Sequence, residues 1–153
     1  MRSDEQTAHF GAALAAFLAA GDALLLRGDL GAGKSVLARG IARGLGVEGP
    51  MPSPTFTLVL PHEGAKFPVY HFDLYRLADM DEFEVAGLDE MIDADGVCLI
   101  EWPLKGLVPR SRIECLIERG PSEDERLICL DASHFGREKE LGKALEAWEV
   151  DEG

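Results

Sequence analysis

The chain has 153 residues, of which 46% are hydrophobic and 28% charged, and its formal net charge is −13 at pH 7. This length and composition predict a single domain over residues 1–153 with a substantial core. The negative charge argues against independent binding to the phosphate backbone of RNA or DNA. The longest apolar stretch, residues 10–20, is too short to span a bilayer. Because no charged-then-apolar leader opens the sequence, we expect a cytoplasmic protein.

Segments with helical and strand-like patterns alternate along the chain. Apolar residues recur at helical spacing in some segments, and short apolar or alternating runs bounded by turn residues predict strands in others. In chain order we predict a helix after Asp4, a strand at 23–26, a helix at 37–45, strands at 56–60 and 67–72, an acidic helix at 80–91, strands at 97–100, 113–117 and 127–130, and a helix at 141–148. This order predicts a three-layer α/β fold with a mixed, partly parallel sheet. We expect the acidic residues 149–153 to be frayed.

The segment between the first strand and the second helix carries the most specific motif. It matches the phosphate-binding pattern G-x-x-x-x-G-K-[ST] at every fixed position. Glycines let successive N–H groups turn inward around an anion, and the helix N-terminus that follows favours negative charge. We expect Lys34 to reach the β- and γ-phosphates of a nucleotide and the Ser35 hydroxyl to bind Mg²⁺. The predicted nucleotide-binding residues of this segment are Gly28, Asp29, Leu30, Gly31, Ala32, Gly33, Lys34 and Ser35.

Two acidic residues follow other predicted buried strands. Asp73 ends the strand at 67–72, and Glu101 ends the strand at 97–100. A phosphate-binding loop needs a carboxylate at the end of a neighbouring strand to hold Mg²⁺. The pattern leaves open which of the two acids holds the metal and which orients an attacking water. Thr55 lies in the connector before the next strand, where its hydroxyl or carbonyl is suited to sensing the γ-phosphate or its metal.

The cysteines and histidines do not indicate a metal site. Cys98, Cys115 and Cys129 form no C-x-x-C pair, and each lies in an apolar, strand-like run. We therefore predict three buried core thiols and no disulfide framework. The four histidines show no ligand spacing.

Four motifs, in their order and spacing, resemble those of the TsaE (YjeE) family. They are the loop at 28–35, S-P-T-F-T-L-V at 53–59, H-F-D-L-Y-R-L at 71–77 and L-I-E-W-P at 99–103. The resemblance runs from about Asp4 to about Pro103, and the last third of the chain matches only loosely. In that last third, either Arg119 or Arg126 is a candidate nucleotide contact. Neither residue aligns with a motif of the family.

The resemblance implies a function. Members of the family are bacterial ATPases needed to form threonylcarbamoyladenosine in tRNA, so we expect ATP and Mg²⁺ as ligands and slow hydrolysis of ATP by the chain alone. We expect two partner subunits, TsaD and TsaB, which transfer the threonylcarbamoyl group to the adenosine beside the anticodon. ATP binding and hydrolysis are expected to reset or drive that complex between turnovers. Contact with tRNA is then indirect, in agreement with the net acidity of the chain.

The matched motifs also imply roles for single residues. Lys34, Asp73 and Glu101 are the expected catalytic residues, with Lys34 neutralising phosphate charge. Ser35 is expected to bind Mg²⁺, and Asp73 to hold the metal directly or through water. Glu101 is expected to lie near the γ-phosphate, either as a metal contact or as the group that orients water.

The resemblance also implies roles for two further loops and for the first helix. The resemblance assigns Thr55 to a first switch loop and Trp102 to a second, and it makes Glu5 a candidate adenine contact. His62 stands where many members have tyrosine, so the role of the loop expected after the T-L-V strand stays open.

Three other functions compete with this interpretation. A small-molecule kinase of the phosphate-loop class is the main alternative, although the sequence after Glu101 offers only Lys105, Arg110 and Arg112 as a basic cluster for a lid. A regulatory GTPase reads guanine through N-K-x-D, and this chain contains no asparagine. A non-catalytic module that keeps ATP as a structural ligand has the same sequence signature as a slow ATPase.

Overall fold

The computed structural model describes residues 4–123 and 125–152. The helices and strands, in chain order, are α1 (Asp4–Ala15), β1 (Asp22–Arg27), α2 (Lys34–Gly44), β2 (Val59–Glu63), β3 (Pro68–Asp73), α3 (Met80–Val85), a 3₁₀ turn (Leu88–Met91), β4 (Val97–Glu101), β5 (Ser111–Arg119), β6 (Arg126–His134) and α4 (Glu138–Glu152).

The strands form one mixed sheet. Its order is β2-β3-β4-β1-β5-β6, and the strands β3, β4, β1 and β5 run parallel to one another. The outer strands β2 and β6 pair antiparallel with their neighbours. The carboxyl ends of the parallel strands therefore meet at one edge, which is where ligands bind in open α/β sheets.

Two apolar cores lie on opposite faces of the sheet because successive strand residues point to opposite sides. Leu24 and Leu26 of β1 face the first core, which α1 and α2 cover together with Leu141 of α4. Leu25 faces the second core, which α3 and the 3₁₀ turn cover. These layers confirm the predicted three-layer α/β fold with a mixed, partly parallel sheet.

Two predicted elements have different bounds in the structure. Residues 55–57 form a turn, and the strand expected at 56–60 is β2 at Val59–Glu63, because Leu58 adopts a φ of 69° and redirects the chain. His62 consequently lies within β2 and not in a loop after it. The helix expected at 80–91 breaks at Gly87, whose φ of 77° ends α3 before the 3₁₀ turn.

The prediction of three buried thiols is wrong for one of them. Cys98 and Cys115 are buried, whereas Cys129 is exposed. Cys129 lies on the edge strand β6, where alternate residues face solvent and the other set packs on the core. The prediction of a frayed acidic tail stays a prediction: α4 extends to Glu152, and Gly153 lies outside the described residues.

Within residues 4–123 and 125–152, no helix has both the length and the apolar character that crossing a membrane requires.

Candidate functional site

Three strand ends bring the predicted site residues to one edge of the sheet. β1 pairs with β4 so that Leu26 lies opposite Glu101, and β3 pairs with β4 so that Asp73 lies opposite Glu101. The loop at 28–33 leaves β1 at this edge and leads into α2, which begins at Lys34. The two acids and the loop therefore lie side by side, as the motif order predicted.

The loop can take its path only with glycine at particular positions. Gly33 caps α2 with a φ of 114°, a conformation in which side chains are strained. A Cβ on Gly28 would lie 2.4 Å from the carbonyl oxygen of Ile117 on β5, so the loop main chain packs directly on the neighbouring strand. The N–H groups of the first turn of α2 lack partners within the helix and thus can serve an anion.

Lys34 is buried within the loop that it belongs to. Its Nζ donates to the carbonyl oxygens of Gly28 at 2.6 Å and Asp29 at 2.8 Å, and it lies 4.0 Å from the ring centroid of Trp102. Burial lowers the pKa of Lys34, while the negative charges of Glu101, Asp29 and Asp73 oppose that shift. A cation that is this poorly solvated gains most from an added anion, because desolvation strengthens charge pairing.

Glu101 is held by side chains from two elements. The Oγ of Ser35 donates to one carboxylate oxygen, Oε1, at 2.8 Å. The Nε2 of His71 on β3 lies 2.5 Å from the other, Oε2, and both His71 and Glu101 are buried. Since a carboxylate oxygen accepts, His71 is the donor of this bond. Both oxygens of Glu101 are therefore fixed in orientation.

The sequence patterns did not predict a role for His71 in the site, because the histidines show no metal-ligand spacing. A signal was available, because His71 precedes Asp73 by two residues on one strand. Residues so spaced share a face of the sheet, so an acid at the strand end predicts that a polar residue two positions earlier also faces the site.

Asp73 is buried beside the connector that carries Thr55. Thr55 donates from Oγ1 to Asp73 Oδ2 at 3.3 Å, and its hydroxyl also lies 2.8 Å from that of Ser53. The N–H of Tyr75 donates to the second carboxylate oxygen, Oδ1, at 3.1 Å. Thr55 and Asp73 are thus in contact although they are 18 positions apart in the sequence.

The oxygen atoms at this edge fit Mg²⁺. The hydroxyl of Ser35 and the carboxylates of Asp73 and Glu101 line one cavity, and hard cations prefer such oxygen ligands. No group of three or more His, Cys, Asp or Glu side chains in the described part of the chain could hold a metal ion by itself. Mg²⁺ usually takes one or two carboxylates together with substrate phosphates and water.

The cavity at the loop has a volume of about 350 Å³. The predicted site residues that line it are Leu30, Gly31, Gly33, Lys34, Ser35, Thr55, Asp73 and Glu101. Asp4 of α1 also lines it, whereas its neighbour Glu5 is exposed and lies outside the lining, so the adenine contact of Glu5 stays a prediction. Gly28, Asp29 and Ala32 line an adjacent cavity on the β5 side of the loop.

Trp102 follows β4 directly and closes one side of the cavity. Its φ of 56° is unusual for a bulky residue, and its ring packs against that of Tyr75 with centroids 4.8 Å apart. Strained conformations of this kind cluster at functional sites.

The arginines of the last third also reach the loop. Arg126 donates from Nε to the carbonyl oxygen of Ala32 at 2.8 Å and lines the cavity. Arg119 lies 3.4 Å from the carbonyl oxygen of Gly31. The four sequence motifs do not include Arg119 or Arg126. The positions of both residues depend on the pairing of β5 with β6.

A glycine loop between a buried parallel strand and a helix N-terminus, beside two strand-end acids, defines an α/β protein of the P-loop class. The model for the family described as threonylcarbamoyl adenosine biosynthesis protein TsaE matches residues 1–128. The chain belongs to the TsaE family, which confirms the resemblance found in its motifs.

Individual relatives agree with this membership. The tRNA threonylcarbamoyladenosine biosynthesis protein TsaE of Bacillus subtilis is 42% identical over 130 residues, which cover 84% of this chain and 80% of that protein. The protein of the same name from Haemophilus influenzae is 45% identical over 107 residues, covering 70% of this chain and 68% of that protein. The crystal structure of Bacillus subtilis YdiB matches the fold with a TM-score of 0.77 at 34% identity, covering 97% of this chain and 93% of that one.

Proposed function

We propose that this chain binds ATP with Mg²⁺ at residues 28–35 and hydrolyses it in support of threonylcarbamoyladenosine formation in tRNA. The observation that carries the proposal is the convergence of Lys34, Ser35, Asp73 and Glu101 on one cavity at the N-terminus of α2. The names of the relatives from Bacillus subtilis and Haemophilus influenzae support the biological role.

Lys34 is the residue that neutralises phosphate charge in this proposal. Its Nζ bonds two carbonyl oxygens of its own loop, and carbonyls satisfy the N–H groups without cancelling the charge. A polyphosphate offers anionic oxygens, which form stronger, charge-assisted bonds with an ammonium group. Binding of a nucleotide therefore exchanges weak partners of Lys34 for strong ones.

Ser35, Asp73 and Glu101 serve the metal and the attacking water. Ser35 and one of the two acids would hold Mg²⁺, which when bound would supply positive charge to offset the negative charge of the phosphates. The protein contributes orientation, because His71 fixes Glu101 and Thr55 fixes Asp73 by hydrogen bonds. The acid that does not bind the metal directly is available to orient water. Thr55 and Trp102, at the two sides of the cavity, are suited to report the presence of the γ-phosphate.

The proposed partners are TsaD- and TsaB-like subunits. A net charge of −13 disfavours direct capture of tRNA, so the chain is proposed to act on the transferase subunits, with tRNA involved indirectly. Turnover of ATP by the free chain is expected to be slow and to rise with the partners present. The proposed location is the cytoplasm.

The test is an assay of ATP binding, phosphate release and tRNA modification with purified partners. We expect Lys34→Ala to abolish binding or hydrolysis of ATP. Asp73→Asn and Glu101→Gln should lower hydrolysis by about 100-fold or more, and binding by less, because removing a positioned charge costs several kcal/mol in the transition state. Lys66→Ala and Glu63→Gln, both on the exposed surface, are matched controls that should behave like the wild type.

Two outcomes contradict the proposal. Wild-type turnover of both acid variants with partners present would refute the assigned roles. Appearance of the γ-phosphate on a small metabolite, and not as free phosphate, would favour the kinase alternative.

A further inference from the structure

The tip of the β5–β6 hairpin places two arginines side by side. In the antiparallel register, Arg119, the last residue of β5, pairs with Arg126, the first residue of β6. The turn between them is closed by a bond from Gly120 N–H to the Glu125 carbonyl at 2.9 Å. Like charges directly opposite each other weaken a sheet. The register therefore holds Arg119 and Arg126 next to each other at the tip of the hairpin.

Both arginines contact the main chain of the phosphate-binding loop. Arg126 donates to Ala32 O at 2.8 Å, and Arg119 donates to Gly31 O at 3.4 Å. A Cβ on Gly31 would lie 2.8 Å from Arg119 Nη2, so the guanidinium occupies the space beside that glycine. The hairpin tip thus supports the loop from the side opposite to the strand-end acids.

Arg126 also belongs to the cavity at the loop. It lines this cavity together with Lys34, while the acids of the lining are Asp4, Asp73 and Glu101. The other bonds that the Arg126 Nη1 donates go to the main-chain carbonyls of Glu123 and Glu125, both at 2.8 Å. These carbonyls fix the orientation of the guanidinium. A planar, oriented guanidinium is well suited to binding phosphate oxygens.

We propose that Arg126 is a second phosphate-binding cation of the site, and that Arg119 positions the loop for it. This inference rests on the proposed function and adds a residue to it. Arg126 acts on the polyphosphate of a nucleoside triphosphate from the β6 side, and Lys34 acts on it from within the loop. Arg119 acts through Gly31 and is a positioning residue.

The test compares two ligands by calorimetric titration of the full chain with Mg²⁺ present. ATP carries both the base and the phosphates, whereas tripolyphosphate carries the phosphates alone. Arg126→Gln should weaken binding of both ligands by at least tenfold, since it removes a charge-assisted contact that both share. Arg119→Gln should weaken both by less. Arg112→Gln is the matched control, because Arg112 lies at the other end of β5 and also bonds a carbonyl, that of Pro109; it should bind both ligands as the wild type does.

The results separate this inference from the proposed function. If Arg126→Gln binds both ligands as tightly as the wild type, the inference is overturned. The proposed function still stands in that case, provided that Lys34→Ala no longer binds ATP. Loss of ATP affinity with unchanged tripolyphosphate affinity would also overturn it, because Arg126 would then contact the base. If Arg126→Gln does not fold, Arg126→Met decides, since it keeps the aliphatic stem and loses the charge: at least tenfold weaker binding of both ligands supports the inference, and wild-type binding overturns it. Absence of ATP binding by the wild type would refute the proposed function itself.

Discussion

The carboxylate of Glu101 depends on His71 for its orientation. His71 and Glu101 lie on adjacent strands and are both buried, and the 2.5 Å contact joins Nε2 to the oxygen that does not face Ser35. A group that orients an acid acts on catalysis more than on binding. Residues that hydrogen-bond a metal ligand without touching the metal typically contribute 10- to 100-fold to activity.

We predict that His71→Ala lowers kcat for ATP hydrolysis by about 10- to 100-fold and changes KM by less than about threefold. His71→Gln keeps an N–H donor at a similar distance from the main chain and should recover part of the loss. The measurement is steady-state hydrolysis with partners, alongside ATP binding by titration. His134→Ala, on the exposed end of β6, is the control. A uniform rise in KM with kcat preserved in His71→Ala would contradict the positioning role.

Among the elements, α1 and α2 pack with almost no space between their main chains. A Cβ on Gly40 would lie 2.4 Å from the carbonyl oxygen of Ala8, and a Cβ on Gly11 would lie 2.9 Å from the main chain of Ile41. Small residues at this crossing let α2 sit close to α1, and α2 carries Lys34 and Ser35 at its N-terminus. The crossing therefore fixes the position of two site residues.

Gly40→Ala is predicted to destabilise the fold by about 1–3 kcal/mol, since added methyl groups in a packed interface force the main chain apart. Gly142→Ala in α4 is the matched control, because a Cβ there meets nothing within 4 Å. It should be neutral or stabilise by up to about 1 kcal/mol, the usual gain of alanine over glycine in a helix. Urea unfolding measures both. Equal stability of Gly40→Ala and the wild type would show that the crossing is not tightly packed.

The local sequence predicted the existence of the helices and strands more accurately than their boundaries. The loop at 28–35 and its flanking strand and helix follow from periodicity and glycine spacing, and the strand-end acids from their position after apolar runs. The break at Gly87 and the shift of β2 past Leu58 depend on positive φ values, which apolar patterning does not contain. The approach of Arg126 to Ala32 across 94 positions depends on the register of the edge hairpin. Such contacts follow from tertiary packing and have no local signal.

At the scale of the whole molecule, the two buried thiols make the free energy of unfolding depend on pH. Burial raises the pKa of Cys98 and of Cys115 to about 12. In the unfolded chain the same thiols ionise near their ordinary pKa of about 8.5. Above that pH the unfolded state loses protons that the folded state retains, so the free energy of unfolding falls as pH rises towards 12.

We predict a loss of about 1 kcal/mol for each of these two thiols between pH 9 and pH 10. Urea unfolding at the two pH values measures it, and the double variant Cys98→Ala with Cys115→Ala should lose that part of the pH dependence. Cys129→Ala is the control, because Cys129 is already exposed in the folded chain. An unchanged pH dependence in the double variant would contradict the buried, protonated state of the two thiols.

Every role proposed for this chain requires a polyphosphate to bind at the junction of β1 and α2. The most direct measurement is the amide NMR spectrum of the full chain, labelled with ¹⁵N, during titration with ATP and Mg²⁺. We predict the largest, saturable shifts at residues 28–36, with smaller shifts at Thr55, Asp73 and Trp102. An unchanged spectrum at millimolar ATP, or shifts confined to residues away from this loop, would contradict the central claim.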